Sequence, residues 1–303
     1  MSESMVSGRI IKGIAGFYYV HTDSHGVIEC HAKGILRRGK YKRPLVGDRV
    51  DIEILDTEKK TGSLVSIHDR TSSLIRPEVA NVDQALIVMA YEKPEPNLLL
   101  LDRFLVMLEN QNVECIICFN KSDMADDARI DEIKAEYADC GFPLISVSAK
   151  YDDDFNVIKN ILEGKITAFA GPSGVGKSSI INRICPEALM ETGSISHKTE
   201  RGKHTTRHSE VFPLGGMKET YIMDTPGFTS IELMEGVETE SLRAYYREFY
   251  RFEGACKYDG CSHTHEPGCS VKQAVEEGKI SRLRYGNYKA MYDELKSRDK
   301  KRY

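Results

Sequence analysis

The chain has 303 residues, of which 41% are apolar and 29% are charged, and its formal net charge at pH 7 is −4. This length is typical of two or three globular domains. No apolar run reaches the roughly 18 residues that a membrane-spanning helix needs, and the first residues lack the apolar stretch of a signal peptide. We therefore expect a cytoplasmic protein without a membrane partner.

Basic residues are concentrated at both ends of the chain. Residues 1–75 carry twelve Lys and Arg against nine Asp and Glu, and residues 279–303 carry nine against three. A protein that contacts a polyanion with both ends fits this distribution, and a surface selected only for solubility would fit it too.

The first 75 residues predict an all-β barrel. Short runs such as GFYYVHT, GVIECHA, DRVDIEIL and GSLVSIH alternate polar and apolar residues and are separated by Gly, Asp and Lys turns. About five strands of this length suit an OB-type barrel, a fold that commonly binds oligonucleotides. One connection between strands carries a basic run, which is either a nucleic-acid contact or a solvated loop: Lys33, Arg37, Arg38, Lys40, Lys42 and Arg43.

The pattern changes after Arg76-Pro77. Apolar strands without alternation, such as QALIVMAY (84–91), ECIICFN (114–120) and ITAFAG (166–171), are interleaved with helical segments such as LLLLDRFLVMLEN (98–110). This arrangement predicts a doubly wound parallel sheet covered on both faces, with ligands at the carboxyl ends of its strands. We place this α/β domain at residues 76–235.

Residues 236–303 predict a third, small helical domain that is interrupted by a cysteine cluster. Its segments ETESLRAYYREFYRFEG, SVKQAVEEGKI and SRLRYGNYKAMYDELKSR have helical patterns. The aromatic residues in YYREFY and YGNYKAMY either stack on RNA bases or form a core, and their helical spacing favours the core.

The segment that follows the strand ITAFA predicts a phosphate-binding loop. It matches G-x-x-x-x-G-K-[ST] between a strand and a helix, where backbone N–H groups and the helix N-terminus can surround phosphate oxygens. Lys177 would neutralise the β- and γ-phosphates, and Ser178 would bind Mg²⁺. The predicted nucleotide-binding residues of this loop are Gly171, Pro172, Ser173, Gly174, Val175, Gly176, Lys177, Ser178 and Ser179.

Two further segments predict guanine recognition. Asn120, Lys121, Ser122 and Asp123 follow the strand ECIICF, and the Asp123 carboxylate can accept hydrogen bonds from the guanine N1–H and 2-amino group, which adenine does not offer. Ser148, Ala149 and Lys150 end the next strand, where GTP-binding domains carry the segment that lies on guanine O6.

The segment after the strand TYIM predicts contacts with magnesium and the γ-phosphate. Asp224 is placed to hold Mg²⁺ through water, and the N–H of Gly227 to bind the γ-phosphate. The polar stretch ETGSISHKTERGKHTTRHSE (191–210) lies between the phosphate loop and this strand. It has the composition of a switch loop that is ordered by γ-phosphate and Mg²⁺. From this loop we favour Thr206 over Thr205 as a magnesium ligand.

The order of these segments indicates a circular permutation. Ordinary GTPases begin with the phosphate loop and end with N-K-x-D and S-A-K, whereas here 120–123 and 148–150 precede 171–178 and 224–227. Because the phosphate and base contacts do not depend on where the chain is cut, the site can be retained. The segment after Gly227 then runs directly into the cysteine-rich domain, where the nucleotide state could be transmitted.

The cysteines fall into two groups. Cys30, Cys115, Cys118, Cys140 and Cys185 are scattered, mostly in apolar runs, as small core residues. The others form the pattern Cys256-x₄-Cys261-x-His263-x₅-Cys269, in which three thiolates and one imidazole predict a closed structural zinc site. His265 is a rival for the imidazole position.

The chain resembles a known family, the bacterial ribosome small-subunit-dependent GTPase A, over nearly its whole length. The resemblance rests on LVGDRV (45–50), RPEVANVDQALIV (76–88), LDRFLV (101–106), the segments NKSD, GPSGVGKSS, GKHTT and DTPGF, and the cysteine cluster. It implies an OB barrel, a permuted GTPase domain and a zinc domain. It also implies binding to the small ribosomal subunit and its rRNA late in maturation, with GTP hydrolysis stimulated by the subunit. The family pattern places the zinc-binding histidine two residues after the second cysteine, which favours His263 over His265.

The resemblance also points to the catalytic residue. Phe228 stands where many GTPases carry the glutamine that orients the attacking water, and a phenyl ring cannot do this. The family assigns catalysis to the histidine of its G-x-H-T-T segment, which is His204 here; a loop contact with ribosome or phosphate is the alternative for this residue.

Two other functions fit parts of the sequence. The first is a nucleic-acid-binding regulator with negligible turnover, which a measurement of GTP hydrolysis in the presence of ribosomal subunits would distinguish from a GTPase. A P-loop ATPase or kinase is disfavoured because Asp123 selects guanine. Nothing in the sequence indicates oligomerisation, and we expect a monomer that binds GTP and GDP with Mg²⁺ and one structural Zn²⁺.

Overall fold

A computed structural model describes residues 5–32, 43–74, 78–152, 155–184, 210–224, 234 and 236–300 of the chain. The chain divides into two compact units. The first contains Met1–Ala85, Asp153–Phe169 and Ser178–Gly227, and the second contains Leu86–Asp152, Ala170–Lys177 and Phe228–Tyr303. The predicted domain boundaries at 75/76 and 235/236 stay predictions.

The first unit begins with the predicted barrel, which is closed and has the strand order β1-β2-β3-β5-β4. Strands β3 and β5 pair in parallel, and the other neighbouring pairs are antiparallel. The alternation in the sequence directs Ile10, Val20, Ile28, Ile52 and Leu64 into a buried core. The strands are β1 (Met5–Ile14), β2 (Phe17–Thr22), β3 (Gly26–Ala32), β4 (Arg49–Asp56) and β5 (Thr61–Ile67).

Two short strands follow the barrel, β6 (Ser73–Leu74) and β7 (Val79–Ala80), which pair with each other.

Most of the basic run between β3 and β4 lies outside the described residues. Its last member, Arg43, is exposed and lies 3.8 Å from Glu78.

The remaining strands form a six-stranded sheet with the order β10-β9-β8-β11-β13-β12. Each of the apolar segments QALIVMA and ITAFA is buried over its whole length, which explains why they do not alternate. The sheet is not purely parallel as expected, because the edge strand β12 pairs antiparallel to β13. The strands are β8 (Gln84–Ala90), β9 (Glu114–Asn120), β10 (Leu144–Ser146), β11 (Ile166–Ala170), β12 (Val211–Pro213) and β13 (Tyr221–Asp224).

The described residues of the α/β part form four α-helices. They are α1 (Leu98–Asn110), α2 (Asp127–Tyr137), α3 (Asn156–Leu162) and α4 (Lys177–Ile184). Helix α1 begins where the Asn97 side chain accepts a hydrogen bond from the Leu100 N–H, and its buried face repeats at helical spacing through Leu101, Phe104 and Leu108. The sequence predicted the bounds of α1 correctly.

The C-terminal part of the second unit contains α5 (Ser270–Glu276) and α6 (Arg282–Lys300). Before them, three short 3-10 helices stand where the sequence pattern predicted continuous helix: Leu242–Tyr245, Arg247–Phe249 and Glu253–Ala255. The chain leaves helical geometry at Tyr246, with φ −104° and ψ 81°. Successive 3-10 turns can bury apolar residues at spacings of three and four just as an α-helix does, so the pattern did not distinguish them.

The aromatic residues of this part form its core. Tyr246, Phe249 and Tyr288 are each at most 1% exposed, and their ring centroids lie 5.0–5.2 Å apart. The structure therefore favours the core interpretation of these aromatic residues over stacking on RNA.

A buried ion network attaches α6 to α1. Arg284 of α6 donates to Asp102 of α1 at 2.5 Å and to Glu248 at 2.6 Å, and Asn287 donates to the second oxygen of Asp102. Burial alone would lower the pKa of Arg284, but the two carboxylates outweigh it and raise that pKa. Within the described residues, no helix combines the length and apolar character needed to cross a membrane.

Candidate nucleotide-binding and metal sites

The predicted phosphate loop connects β11 to α4, and its shape depends on glycine. Gly171, Gly174 and Gly176 have φ values of 132°, 80° and 96°, which side-chain-bearing residues rarely adopt. A Cβ on Gly171 would lie 2.1 Å from the Val88 carbonyl oxygen. Lys177 donates from Nζ to the carbonyl oxygens of Gly171 and Pro172 at 2.7 and 2.9 Å, so its ammonium group lies within the loop.

Asn120 joins the phosphate loop to both predicted guanine-binding segments. Its Nδ2 donates to the Val175 carbonyl oxygen at 2.8 Å, and its Oδ1 accepts from the Ala149 N–H at 3.0 Å. Asn120 is 1% exposed, so these partners replace water that the amide would otherwise bind. A Cβ on Gly176 would lie 2.3 Å from Asn120 Nδ2, which explains why a glycine is needed opposite this amide.

Lys121 spans two loops at the same site. Its backbone is left-handed, with φ 61°, and its Nζ donates to the carbonyl oxygens of Gly174 at 2.7 Å and Lys93 at 2.5 Å. The Lys93 carbonyl belongs to the loop between β8 and α1. The sequence did not point to this loop, because a backbone carbonyl leaves no trace in side-chain patterns.

Asp123, the predicted guanine-binding carboxylate, is exposed and oriented by a hydrogen bond. Ser148 donates from Oγ to Asp123 Oδ1 at 2.5 Å, and the Ser148 N–H is held by Asp152 at 2.6 Å. One carboxylate oxygen is thus fixed from the side of the S-A-K segment. Ser122 is half-buried, and Lys150, Ser173, Ser178 and Ser179 are exposed.

Several predicted site residues lie outside the described part of the chain. They are His204, Thr205, Thr206, Gly227 and the side chain of Asp224, although the backbone of Asp224 ends β13. Their roles stay predictions.

A separate cluster brings together the four predicted metal ligands Cys256, Cys261, His263 and Cys269. Their ligand atoms all lie within 4.8 Å of one another. Nδ1 of His263 lies 3.6 Å from Cys256 Sγ and 3.5 Å from Cys269 Sγ, and these two sulfurs are 4.0 Å apart. A tetrahedral zinc ion with ordinary bond lengths places such atoms about 3.6 Å (N to S) and about 3.8 Å (S to S) apart. The cluster can therefore hold a metal ion such as zinc.

The structure distinguishes the two candidate imidazoles by position. His263 is 1% exposed and belongs to the cluster, whereas His265 is exposed and its Nδ1 lies 2.9 Å from the Thr264 hydroxyl. The hydroxyl groups of two α6 tyrosines hold the adjoining backbone: Tyr285 donates to the His263 carbonyl at 2.8 Å and Tyr288 to the Ser262 carbonyl at 2.5 Å.

Glu266 shapes the turn between the ligands. Its carboxylate accepts from the N–H and hydroxyl of Ser262 at 2.9 and 2.6 Å and from the Thr264 N–H at 3.2 Å. Burial alone would raise the pKa of Glu266, but the hydrogen bonds from Ser262 outweigh it and hold that pKa at about 2. Nothing in the sequence indicated Glu266 beyond its position three residues after His263.

Comparison with known proteins identifies the family. The family model described as RsgA GTPase matches the sequence over residues 67–234, which is more than half of the chain. The family model described as RsgA N-terminal domain matches residues 7–63. The chain belongs to the RsgA GTPase family. Members of this family are GTP hydrolases, which confirms the class of enzyme predicted from the motifs.

Curated members of the RsgA family match nearly the whole length of the chain. A "Small ribosomal subunit biogenesis GTPase RsgA" from Agathobacter rectalis is 51% identical over 305 residues, covering 97% of this chain and 100% of that protein. A protein with the same name from Caldanaerobacter subterraneus subsp. tengcongensis is 43% identical over 300 residues, covering 98% of both chains.

Two solved structures share the fold. The crystal structure of YjeQ from Thermotoga maritima has a TM-score of 0.80 at 32% identity and covers 96% of this chain and 99% of that one. The structure of YloQ, described as a circularly permuted GTPase, has a TM-score of 0.77 at 38% identity and covers 97% and 96%. The family resemblance and the multidomain fold class expected from the sequence are thus confirmed.

Proposed function

We propose that this protein binds the small ribosomal subunit through the rRNA of that subunit during late maturation. It hydrolyses GTP to GDP and phosphate there, and the subunit stimulates this hydrolysis. The observation that carries the proposal is the 51% identity, over 97% of this chain, to a curated small ribosomal subunit biogenesis GTPase. The hydrogen bonds from Asn120 support it independently, because they join a phosphate loop to two guanine-type segments. Because its proposed partner is a ribosomal subunit, we expect the protein to act in the cytoplasm. We expect a monomer, because nothing in the sequence indicates oligomerisation.

In this proposal the phosphate loop from Gly171 to Ser179 binds the phosphates, and the segments 120–123 and 148–150 bind guanine. Ser178, Thr206 and Asp224 hold Mg²⁺, which offsets charge on the β- and γ-phosphates. Gly227 binds the γ-phosphate, and His204 takes the role of the glutamine that Phe228 replaces.

We assign a separate role to each of the three domains. Residues 1–75 form the RNA-binding barrel, 76–235 the GTPase domain, and 236–303 a domain stabilised by one structural Zn²⁺ on Cys256, Cys261, His263 and Cys269. The separations between the ligand atoms support zinc, because they match a closed tetrahedral site.

The deciding experiment measures GTP hydrolysis by the purified protein with and without mature small ribosomal subunits. ATP and large subunits serve as controls. A GTP-specific increase with the small subunit alone is the expected result. Retained GTP binding without any increase would instead favour the nucleic-acid-binding regulator, and equal use of ATP would revive the ATPase alternative.

The zinc assignment has its own test. Metal analysis should find about one zinc per chain, and a chelator should unfold the C-terminal domain while GTP binding by the rest of the chain persists. A fully folded protein that contains no metal would refute the assignment.

A further inference from the structure

Two buried polar atoms lie together beside the metal cluster. Glu253 Oε1 and His263 Nε2 are 3.4 Å apart, and neither makes a regular hydrogen bond to any described residue. Buried polar atoms without partners are rare, and each carries a free-energy cost. The juxtaposition of two such atoms, one an acceptor and the other a potential donor, therefore requires an explanation.

The opposite edge of the same imidazole faces the sulfurs. Nδ1 of His263 lies 3.5 and 3.6 Å from the Sγ atoms of Cys269 and Cys256, which is close to the separation that a shared tetrahedral metal ion imposes. Only a nitrogen without a proton can bind a metal. If Nδ1 is the ligand, the proton of the neutral ring must be on Nε2, which is the atom beside Glu253.

We propose that Glu253 is a positioning residue for the metal site: its carboxylate accepts the Nε2 proton of His263, which orients the ring and leaves the Nδ1 lone pair free for the metal. This inference rests on the proposed zinc site. Metal-binding histidines commonly donate their second ring N–H to such an acceptor, and loss of the acceptor weakens metal binding.

Among the described residues around the ring, Glu253 is placed as the acceptor. Phe249 lies edge-on to the His263 ring at 5.7 Å between centroids and offers no lone pair. Tyr285 bonds to the backbone carbonyl of His263, not to the ring. Glu253 begins the 3-10 helix Glu253–Ala255, which ends immediately before Cys256, so the same short turn places both a metal ligand and the acceptor.

The first test uses the wild-type full-length chain. The protein is labelled with ¹⁵N-histidine and loaded with ¹¹³Cd²⁺, and coupling from cadmium to the ring nitrogens is measured by NMR. Coupling to Nδ1 with a proton on Nε2 is expected. Coupling to Nε2 would overturn the proposal. A chain that binds neither zinc nor cadmium would overturn the zinc site itself, so the two failures are distinguishable.

The second test compares zinc affinities by competition with a chromogenic chelator. Glu253→Ala should weaken zinc binding about 10- to 100-fold. Glu253→Gln, which keeps an acceptor oxygen, should recover most of that loss. Glu276→Ala, which removes an exposed carboxylate from α5, is the matched control and should leave the affinity unchanged. Equal affinities for wild type and Glu253→Ala, or an equal loss in the control, would overturn the proposal.

Discussion

Asn120 donates from Nδ2 to the carbonyl oxygen of Val175 at 2.8 Å, across 55 residues of chain. The same amide accepts from Ala149. One buried side chain therefore fixes the loop that carries Asp123 relative to the predicted phosphate loop. This relationship is independent of chain order, which is why a circular permutation can preserve the site.

Replacing Asn120 with Ala removes both hydrogen bonds and leaves the Val175 carbonyl and the Ala149 N–H without them. We expect GTP binding to weaken by up to about 1–3 kcal/mol, because the nucleotide must then hold together two loops that had been joined by hydrogen bonds of about 0.5–1.5 kcal/mol each. Equilibrium binding of a fluorescent GTP analogue measures this loss. Gln273→Ala, which removes an exposed amide from α5, is the control, and equal affinities of the two variants would contradict the role assigned to Asn120.

Gly176→Ala should weaken GTP binding by more than the strain of a positive φ alone explains. Its Cβ would lie 2.3 Å from Asn120 Nδ2, and its φ is 96°. Gly278 provides the matched control, since its φ is 72° but no atom lies within 4 Å of an added Cβ. We expect Gly176→Ala to lower GTP affinity by more than about tenfold, and Gly278→Ala to cost only about 1 kcal/mol of folding stability. Similar GTP affinities of the two variants would show that the contact with Asn120 does not matter.

His204→Ala should leave GTP affinity unchanged and abolish the stimulation by small subunits. A group that positions the attacking water acts only on turnover, with a loss of about 100-fold or more. The measurement pairs single-turnover hydrolysis in the presence of subunits with equilibrium binding of GTP. Undiminished turnover would remove His204 from the mechanism, and weakened binding would favour the loop-contact alternative.

Arg284→Ala should destabilise the second unit strongly. It leaves Asp102 and Glu248, which are 1% and 5% exposed, without their cation. Breaking a buried pair in this way costs about 3–5 kcal/mol. Arg251→Ala breaks an exposed pair with Asp139 and should cost less than about 1 kcal/mol. Urea denaturation measures both, and equal losses would contradict the buried network.

The stability of the barrel should depend on pH through Asp51. Burial alone would raise the pKa of Asp51, but hydrogen bonds from Ser66, Ser7 and His68 outweigh it and hold that pKa below its usual value. Because the folded pKa is depressed, this stabilisation is present above the unfolded pKa of about 4 and is lost as pH falls through the lower folded value.

Asp51→Asn should therefore lower the free energy of unfolding at pH 7, and its difference from wild type should shrink as the pH falls below about 4. Thermal unfolding across a pH series measures this. Asp131→Asn changes an exposed carboxylate on α2 and is the control. A difference for Asp51→Asn that does not vary with pH would contradict the assigned hydrogen bonds.

The sequence by itself determined the classes of structure and chemistry in this protein. Alternation predicted the barrel, unbroken apolar strands predicted the α/β sheet, and the order of 120–123, 148–150 and 171–178 predicted the permutation. These signals are local, because the periodicity of a strand, the glycines of a phosphate loop and the spacing of metal ligands are all expressed within a few consecutive residues.

Tertiary structure decided which groups meet. The partners Asn120 and Val175, Asp102 and Arg284, and Tyr285 and the His263 carbonyl are separated by 55, 182 and 22 residues, and no local pattern specifies such pairs. Packing brings His263 to the cysteines and leaves His265 exposed, as the family pattern had favoured, and it alone decided that β12 pairs antiparallel at the sheet edge. Periodicity shows which face of an element is buried, but the partner on that face is selected by the hydrogen bonds and contacts that the folded chain makes possible.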